Sequence, residues 1–541
     1  MRPTRALLVA TLAIAALCDS AAVATNSTAA TAAEIPSSKH CGPGDRPETG
    51  VQGEVPAVDQ VTGASRQGYR CNLRPVAAND LGGRGGDIQL TWYKQCAYQT
   101  RNKGPDASDS VAVLDVSKPK APRMTAVLIR GAWAGRGGAL LGIHEGLHAS
   151  EKRGILVVPI GTMISVYDLT RDCRHPVHLA DYDFGPAAGP FHDPGPPYSA
   201  AGIHSGQLSP DGTLYYATDI GNGAPGTVPA GPCATVIDLA NPRKPKLLLR
   251  WGLEYPCHDL DISPDGRRAY VGWYAPNYGY TAAATAAFGP AAPVSYAASG
   301  MRVVDVSDLH FRRPNPTVRI LGELTGGRQH TEARTRIAGR TYVIGAEEAY
   351  CPGGNPRLVD ITDERHPVEV SSVDLEINTL PYCARQLNRN GDLLLYMGHY
   401  LSVDDPNNAK LLFVSWYASG LRVFDIHDPH HPREVAYLNP AVGDGASRTH
   451  DWSTTYPRYS KSTGQVWFGS RVKGLNVVEL DPRLRPSYPG VSVSRRWSVG
   501  VAAKVAAARA AAVAMAPDEP PPAFSCTLGP VVGSTPAAFN N

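Results

Sequence analysis

Charge is scarce in this chain. Only 19% of its 541 residues are Asp, Glu, Lys or Arg, and 52 basic against 49 acidic side chains leave a formal net charge of +3. That balance provides no field to hold a phosphate backbone, which excludes a charge-driven nucleic-acid binder. Long apolar runs are missing too: none reaches the roughly 18 residues that a membrane-spanning helix needs. The ten cysteines form no C-x-x-C pair, so neither a zinc ribbon nor a thioredoxin-like motif is present. A G-x-S-x-G elbow, a P-loop and a dinucleotide fingerprint tied to a βαβ unit are absent, which disfavours hydrolytic triads and nucleotide chemistry.

What is abundant is the vocabulary of turns. There are 54 glycines and 47 prolines, 24 tyrosines among the aromatics, and an apolar fraction of 43%. The apolar fraction builds a large core and excludes a disordered or collagen-like chain. Length alone suggests three or four domains, while the Gly, Pro and Tyr content points to many short strands joined by many turns.

The start of the chain has the grammar of a signal peptide: Arg2 and Arg5, a mainly apolar run from Ala6 to Leu17, then Ala22-Val23-Ala24. The 12-residue run is too short to cross about 30 Å of hydrocarbon. Leu17 is too large for a lipobox before Cys18, so the expectation is a secreted or periplasmic protein without a lipid anchor. Removal of residues 1–24 leaves nine cysteines, an odd number, in a compartment that permits disulfides. Cys41 with Cys71 is a candidate staple of an N-terminal extension, and Cys526 a candidate unpaired thiol.

One pattern recurs along the chain: an apolar β-run, an acidic residue, an apolar residue, then a polar turn and usually Pro. It reads VAVLDVSKPKAP at Asp115, ISVYDLTRDCRHP at Asp168 and ATVIDLANPRKP at Asp238. It continues through Asp305, Asp360 and Asp425 to a degenerate copy, LNVVELDPRLRP, at Glu479. The mean spacing is about 61 residues. Each unit also holds an earlier hairpin, such as CHDLDISPDGRRAYVGWYA, whose SPDG tetrapeptide is a turn signal, and one further β-rich segment. Seven units of four strands predict an all-β, seven-bladed β-propeller. The expected division is a signal peptide at 1–24, an extension at 25–85, the propeller at 86–498, and an Ala-rich helix with a Pro-rich tail at 499–541. The repeated Asp is read as a turn residue capping backbone N–H groups.

The strings GMRVVDVSD, Gly300 to Asp308, and GLRVFDIHD, Gly420 to Asp428, resemble the LVIVD-repeat propellers. The HDLDISPDG segment is similar to hairpins of the selenium-binding-protein propellers, whose members include copper-dependent methanethiol oxidases. The first resemblance implies the fold; the second implies copper chemistry on a small molecule.

The chemistry is carried by histidine. His204 and His258 stand eight residues before the turn glycines Gly212 and Gly266. His144 and His330 align with them through slightly longer turns, and His450 through a larger insertion. In one unit, Cys383 and His399 compete for the same place, with His399 favoured because both it and His258 lead to Trp-Tyr-Ala, at Trp416 and Trp273. Asp87 is the counterpart in the first unit. Inner strands line a propeller's channel, so equivalent starts ring one mouth. One such histidine commonly does no more than bond a loop carbonyl. Several in register suggest a transition-metal site, with copper favoured, because neutral imidazoles suit Cu, Zn, Fe or Ni.

Connections after the second strands, including residues 221–233 and 276–300, fall at the same end. So do the disulfide candidates Cys233 with Cys257 and Cys351 with Cys383; a bridged Cys383 is no ligand. His175, His178, His366, His430 and His431 fall in turns on the opposite face. Glu347 and Glu348, after a second strand, either reach the mouth as a general base or, the reading favoured, form a plain solvated end. The expected activity is a metal-dependent oxidoreductase acting on a small molecule at this mouth. The alternative is a non-catalytic exported scaffold that binds a small molecule or protein. A lactonase-like hydrolase would need channel carboxylates, which the repeat does not reveal.

Overall fold

A computed structural model describes residues 41–498, apart from 43, 103–109, 130–144, 161–162, 184–202, 219–231, 253–256, 274–298, 328, 350, 388–394 and 447. The signal peptide, the Ala-rich segment, Cys526, His144 and most of the two long connections lie outside the described residues.

Two strands come first, β1 (Tyr69–Cys71) and β2 (Leu73–Asn79), followed by seven antiparallel sheets in a ring. Blade 1 is β3 (Gly86–Tyr93), β4 (Cys96–Arg101), β5 (Ser110–Asp115) and β6 (Arg123–Ile129). Blade 2 is β7 (His148–Ser150), β8 (Ile155–Ile160), β9 (Met163–Asp168) and β10 (Val177–Asp183). Blade 3 is β11 (Ser205–Leu208), β12 (Leu214–Thr218), β13 (Pro232–Asp238) and β14 (Lys246–Gly252). Blade 4 is β15 (Cys257–Ile262), β16 (Arg268–Trp273), β17 (Gly300–Asp305) and β18 (Arg319–Thr325). Blade 5 is β19 (Gln329–Ile337), β20 (Arg340–Glu347), β21 (Arg357–Asp360) and β22 (Val368–Ser372). Blade 6 is β23 (Tyr400–Val403), β24 (Leu411–Trp416), β25 (Gly420–Asp425) and β26 (Arg433–Asn439), and blade 7 contributes β27 (Arg458–Tyr459), β28 (Gln465–Ser470) and β29 (Gly474–Leu480).

The expected propeller is present, with one revision at its seam. Blade 7 takes its outermost strand from β2, paired antiparallel to β29, and β1 adds a fifth strand to blade 6 beside β26. A propeller beginning at residue 86 would leave out this closure. The early strands escaped the repeat pattern because they precede the first complete four-strand unit and pair with strands from the far end of the chain.

Middle strands are buried along their whole length, as in β8, β24 and β28, because each blade packs on both faces. The apolar core is therefore divided among the blade interfaces. Tyr216, Val236 and Trp251 of blade 3 meet Leu260, Val271 and Trp273 of blade 4; Phe413 and Val423 of blade 6 meet Val466 and Phe468 of blade 7, with Leu73 of β2 joining them. The repeated Asp does what the turn reading required. Oδ1 of Asp115, Asp168, Asp238, Asp305, Asp360 and Asp425 accepts from the backbone N–H two residues on, at 2.8–3.1 Å. In the SPDG turns, Gly212 (φ +69°) and Gly266 (φ +73°) occupy the left-handed conformation that favours glycine.

The segment before β1 is pinned to blade 6 through a buried charge cluster. Arg422, 0% exposed, pairs with Glu48 and with Glu434 (3.0 Å), and Gln52 Nε2 donates to Glu434 (2.9 Å). Four disulfides are formed: Cys41–Cys71, Cys96–Cys173, Cys233–Cys257 and Cys351–Cys383. Three were foreseen. The Cys96–Cys173 bridge, 77 residues apart in sequence, ties β4 of blade 1 to the β9–β10 turn of blade 2. Replacing both cysteines by serine is expected to cost about 2–4 kcal/mol, mainly by freeing the unfolded chain. A lowered denaturant midpoint checks this.

Candidate metal centre

Strand geometry decides which side chains reach the axis. His258 and His330 are the second residues of β15 and β19, while His204 and His399 immediately precede β11 and β23 and are already paired to the second strands, their N–H groups donating to Thr218 and Ser415 carbonyls at 2.9 Å. In β15 the register against β16 shifts between Cys257 and Leu260, and in β19 it shifts against β20 between Gln329 and Thr331. An irregularity of this kind re-aims side chains. It gives successive residues, His258-Asp259 and His330-Thr331, contacts around the axis.

The four imidazoles surround a residue that the histidine register passed over. Glu145, just before β7, is 0% exposed. One of its oxygens lies 3.7 Å from His204 Nε2 and 3.4 Å from His399 Nε2; the other lies 3.9 Å from His258 Nδ1 and 3.4 Å from His330 Nε2. Tyr400 donates its hydroxyl to Glu145 at 2.7 Å. The rings follow one another, with centroids 4.4 Å apart for His204–His258, 3.8 Å for His258–His330 and 4.4 Å for His330–His399. Ligand atoms of Glu145, His258 and His330 all lie within 4.8 Å of one another, as do those of His330, Glu348 and His399. His330 joins the two groups into one donor set.

Burial and charge set the protonation of this cluster. Burial pushes the Glu145 carboxyl up, but the imidazoles of His330, His204 and His258 outweigh it and hold the group well below the usual carboxylate range. Burial drives His258 well down, helped by the neighbouring histidines and opposed by Glu145; it also lowers His330, again against Glu145. These directions favour an anionic Glu145 carboxylate and neutral rings at His258 and His330. His399 Nδ1 donates to the Thr454 carbonyl (2.8 Å), which fixes its tautomer and leaves the Nε2 lone pair facing Glu145.

The donor set fits a metal ion. The groups that could hold an ion are Glu145 with His258 and His330, and His330 with Glu348 and His399; His204 Nε2 meets His258 Nε2 at 2.9 Å, a hydrogen-bond contact beside them. Glu145 and Glu348, 0% and 1% exposed, would balance a divalent charge in a pocket of neutral nitrogens.

Other expected site residues stand elsewhere. His450 has both ring nitrogens engaged locally: Trp452 Nε1 donates to its Nε2 (3.0 Å), and Thr449 Oγ1 lies 3.1 Å from its Nδ1. The position paired to the second strand of blade 7 is Thr454, whose N–H bonds the Gly469 carbonyl; the insertion moves His450 out of register. Cys383 is bridged to Cys351, so His399 holds the place in its unit. Asp87 pairs with Arg471 at 2.7 Å. Glu348 is not a solvated strand end but part of the donor set, and Glu347 is buried and orders its loop by accepting from Gly354 N–H at 3.1 Å. On the far face His175, His366 and His431 are exposed and each meets an Asp three residues earlier.

A signal for Glu145 was present. Residues 144–148 spell H-E-x-x-H, a string that on a helix would set two histidines and a glutamate around zinc. Here His148 lies in strand β7, so the helical reading fails while the glutamate still reaches the centre. The residue after each channel histidine is also polar: Ser205, Asp259, Thr331 and Tyr400. These form a second layer in which Tyr456 donates to Asp259 at 3.0 Å and packs, tilted, against Tyr400 with ring centroids 4.1 Å apart. With Glu332 and Asp261 they bring in carboxylates that the repeat did not reveal.

Compared with protein-family models and with curated proteins, the chain matches none.

Proposed function

We propose that this protein is an exported propeller whose axial Glu145, His204, His258, His330 and His399, with Glu348 alongside, hold a divalent transition metal at which a small molecule is oxidised or reduced. The observation that carries the reading is the convergence of four buried imidazoles from four blades on one buried carboxylate. Nitrogen-rich donors select first-row transition metals over calcium or magnesium, and copper leads that series in affinity. The resemblance to selenium-binding-protein hairpins points the same way, while the LVIVD-like strings support placing the chain among those propellers. Export is supported by the signal-peptide grammar and the four disulfides; no described helix is long and apolar enough to cross a membrane.

In such a centre the metal supplies redox or Lewis-acid chemistry. The protein's part is to hold the donors rigidly, fix the His399 tautomer through Thr454 and orient Glu145 through Tyr400. One observation favours a second reading, hydrolysis at a redox-inert ion such as zinc: the buried carboxylates Asp259 and Glu332 lie beside the metal-ligating layer. Elemental analysis of protein purified from the periplasm or medium tests both. About one equivalent of copper or iron per chain is expected. Zinc would support hydrolysis, metal without turnover the non-catalytic scaffold, and no metal after reconstitution would remove the metal centre.

A further inference from the structure

Arginine is handled in two ways in this fold. Arg422 and Arg485, both fully buried, and Arg302 each meet a carboxylate within 3.0 Å. Arg471, 4% exposed, pairs with Asp87. Arg448 departs from this pattern. Its Nε is buried without a hydrogen-bond partner, and it makes no ion pair among the described residues. Its guanidinium lies 4.6 Å over the Trp452 ring. Arg448 is half-buried, and Asp451, the carboxylate that favours its charge, does so less than burial and Arg471 oppose it, so an anion from solution would complete the site.

Its surroundings place it on the working face. Arg448 lies in the connection from β26 to β27, and Arg471 in the turn from β28 to β29, so both sit at the end of the propeller where the channel histidines begin their strands. Arg471 N–H donates to the Trp452 carbonyl (2.9 Å), so the two arginines flank one tripeptide, His450-Asp451-Trp452. Burial and then Arg471 disfavour the charge on Arg448, and Asp451 favours it. The neighbouring Asp451 is already used, accepting from Ser470 Oγ (2.8 Å) and from the N–H groups of Trp452, Val472 and Lys473 at 2.7–3.0 Å. A path of aromatic rings leads from here to the centre: Trp452 to Tyr417 at 6.0 Å, and Tyr417 to His399 at 4.5 Å. Tyr417 holds φ at +27°, a strained conformation for a non-glycine residue of the kind stored at functional sites.

We propose that Arg448, with Arg471 behind it, is an anion subsite that captures the carboxylate of a small organic acid at the channel mouth. The subsite stands on its own geometry; only its role of presenting the far end of that acid to the centre rests on the metal reading. A guanidinium fork matches a carboxylate in plane and spacing.

Calorimetric titration of benzoate, and separately of inorganic phosphate, into as-purified and chelator-treated protein tests this. Saturable benzoate binding is expected in both preparations, weakened about 10-fold or more in Arg448→Gln, as expected when a charge-assisted hydrogen bond is lost, and partly retained in Arg448→Lys. Metal content should be the same in Arg448→Gln as in the parent, so a failure of the metal reading leaves this result standing. Equal benzoate affinity in parent and Arg448→Gln, or no saturable binding, would overturn the subsite; tighter phosphate than benzoate binding would overturn the carboxylate assignment. If Arg448→Gln does not fold, phenylglyoxal labelling of the parent decides: benzoate should slow modification of Arg448, and unaltered labelling counts against the proposal.

Discussion

Glu145→Gln is expected to lower metal affinity by about 100-fold or more, whereas His450→Ala should leave it within roughly 3-fold. The glutamine keeps the size of the side chain and can still accept from Tyr400, so packing is preserved. What it removes is the carboxylate charge that four imidazoles face at 3.4–3.9 Å. Loss of hydrogen-bonding partners that only orient metal ligands typically costs about 10–100-fold; loss of the anionic donor itself should cost at least the upper end. His450 is the contrasting case. Its nitrogens are occupied by Trp452 and Thr449, so its removal disturbs the mouth and not the donor set. His330→Ala should be as damaging as Glu145→Gln, since His330 belongs to both donor groups. Competition titration with a chromophoric chelator checks all three. Parent-like affinity in Glu145→Gln would remove the carboxylate from the centre.

The features legible in the sequence were those tied to the repeat. Asp115 and its counterparts recur because every blade needs the same capped turn, so period and structural role could be read together. The histidines of blades 3 to 6 were legible for a related reason: a fixed distance from a turn glycine fixes position along an inner strand. Glu145 was passed over, although H-E-x-x-H marks it, because the spacing to the turn glycine singles out the histidine before it, His144. His450 misled because an insertion shifts residues out of register without changing their type. The ring closure by β2 was hidden for a third reason. A strand paired across nearly the whole length of the chain, Leu73 with Leu480, leaves no local mark on either partner.

The second layer predicts a distinctive pH dependence of stability. Asp259, 1% exposed, has its carboxyl pushed up to about 8, first by burial and then by Glu145, against the pull of Leu260 N–H, Ser205 and Tyr456. An unfolded Asp titrates near 3.9. Between those values the folded protein keeps a proton that the unfolded chain releases, so stability is greatest in acid and is lost as pH rises, by about 1.4 kcal/mol per unit from this residue alone. Asp261, pushed up to about 6, and Glu332, raised well above the usual range, act with the same sign. Asp259→Asn stays uncharged at every pH, so it should remove one proton from the slope while the other two carboxylates keep theirs. Relative to the parent, the variant should gain little at pH 4 and up to roughly 4 kcal/mol at pH 7. Urea unfolding of metal-free parent and variant between pH 4 and 8 measures the difference. Parallel curves would show that Asp259 is ionised in the folded protein, and the acid layer beside the histidines would then have to be charged at neutral pH.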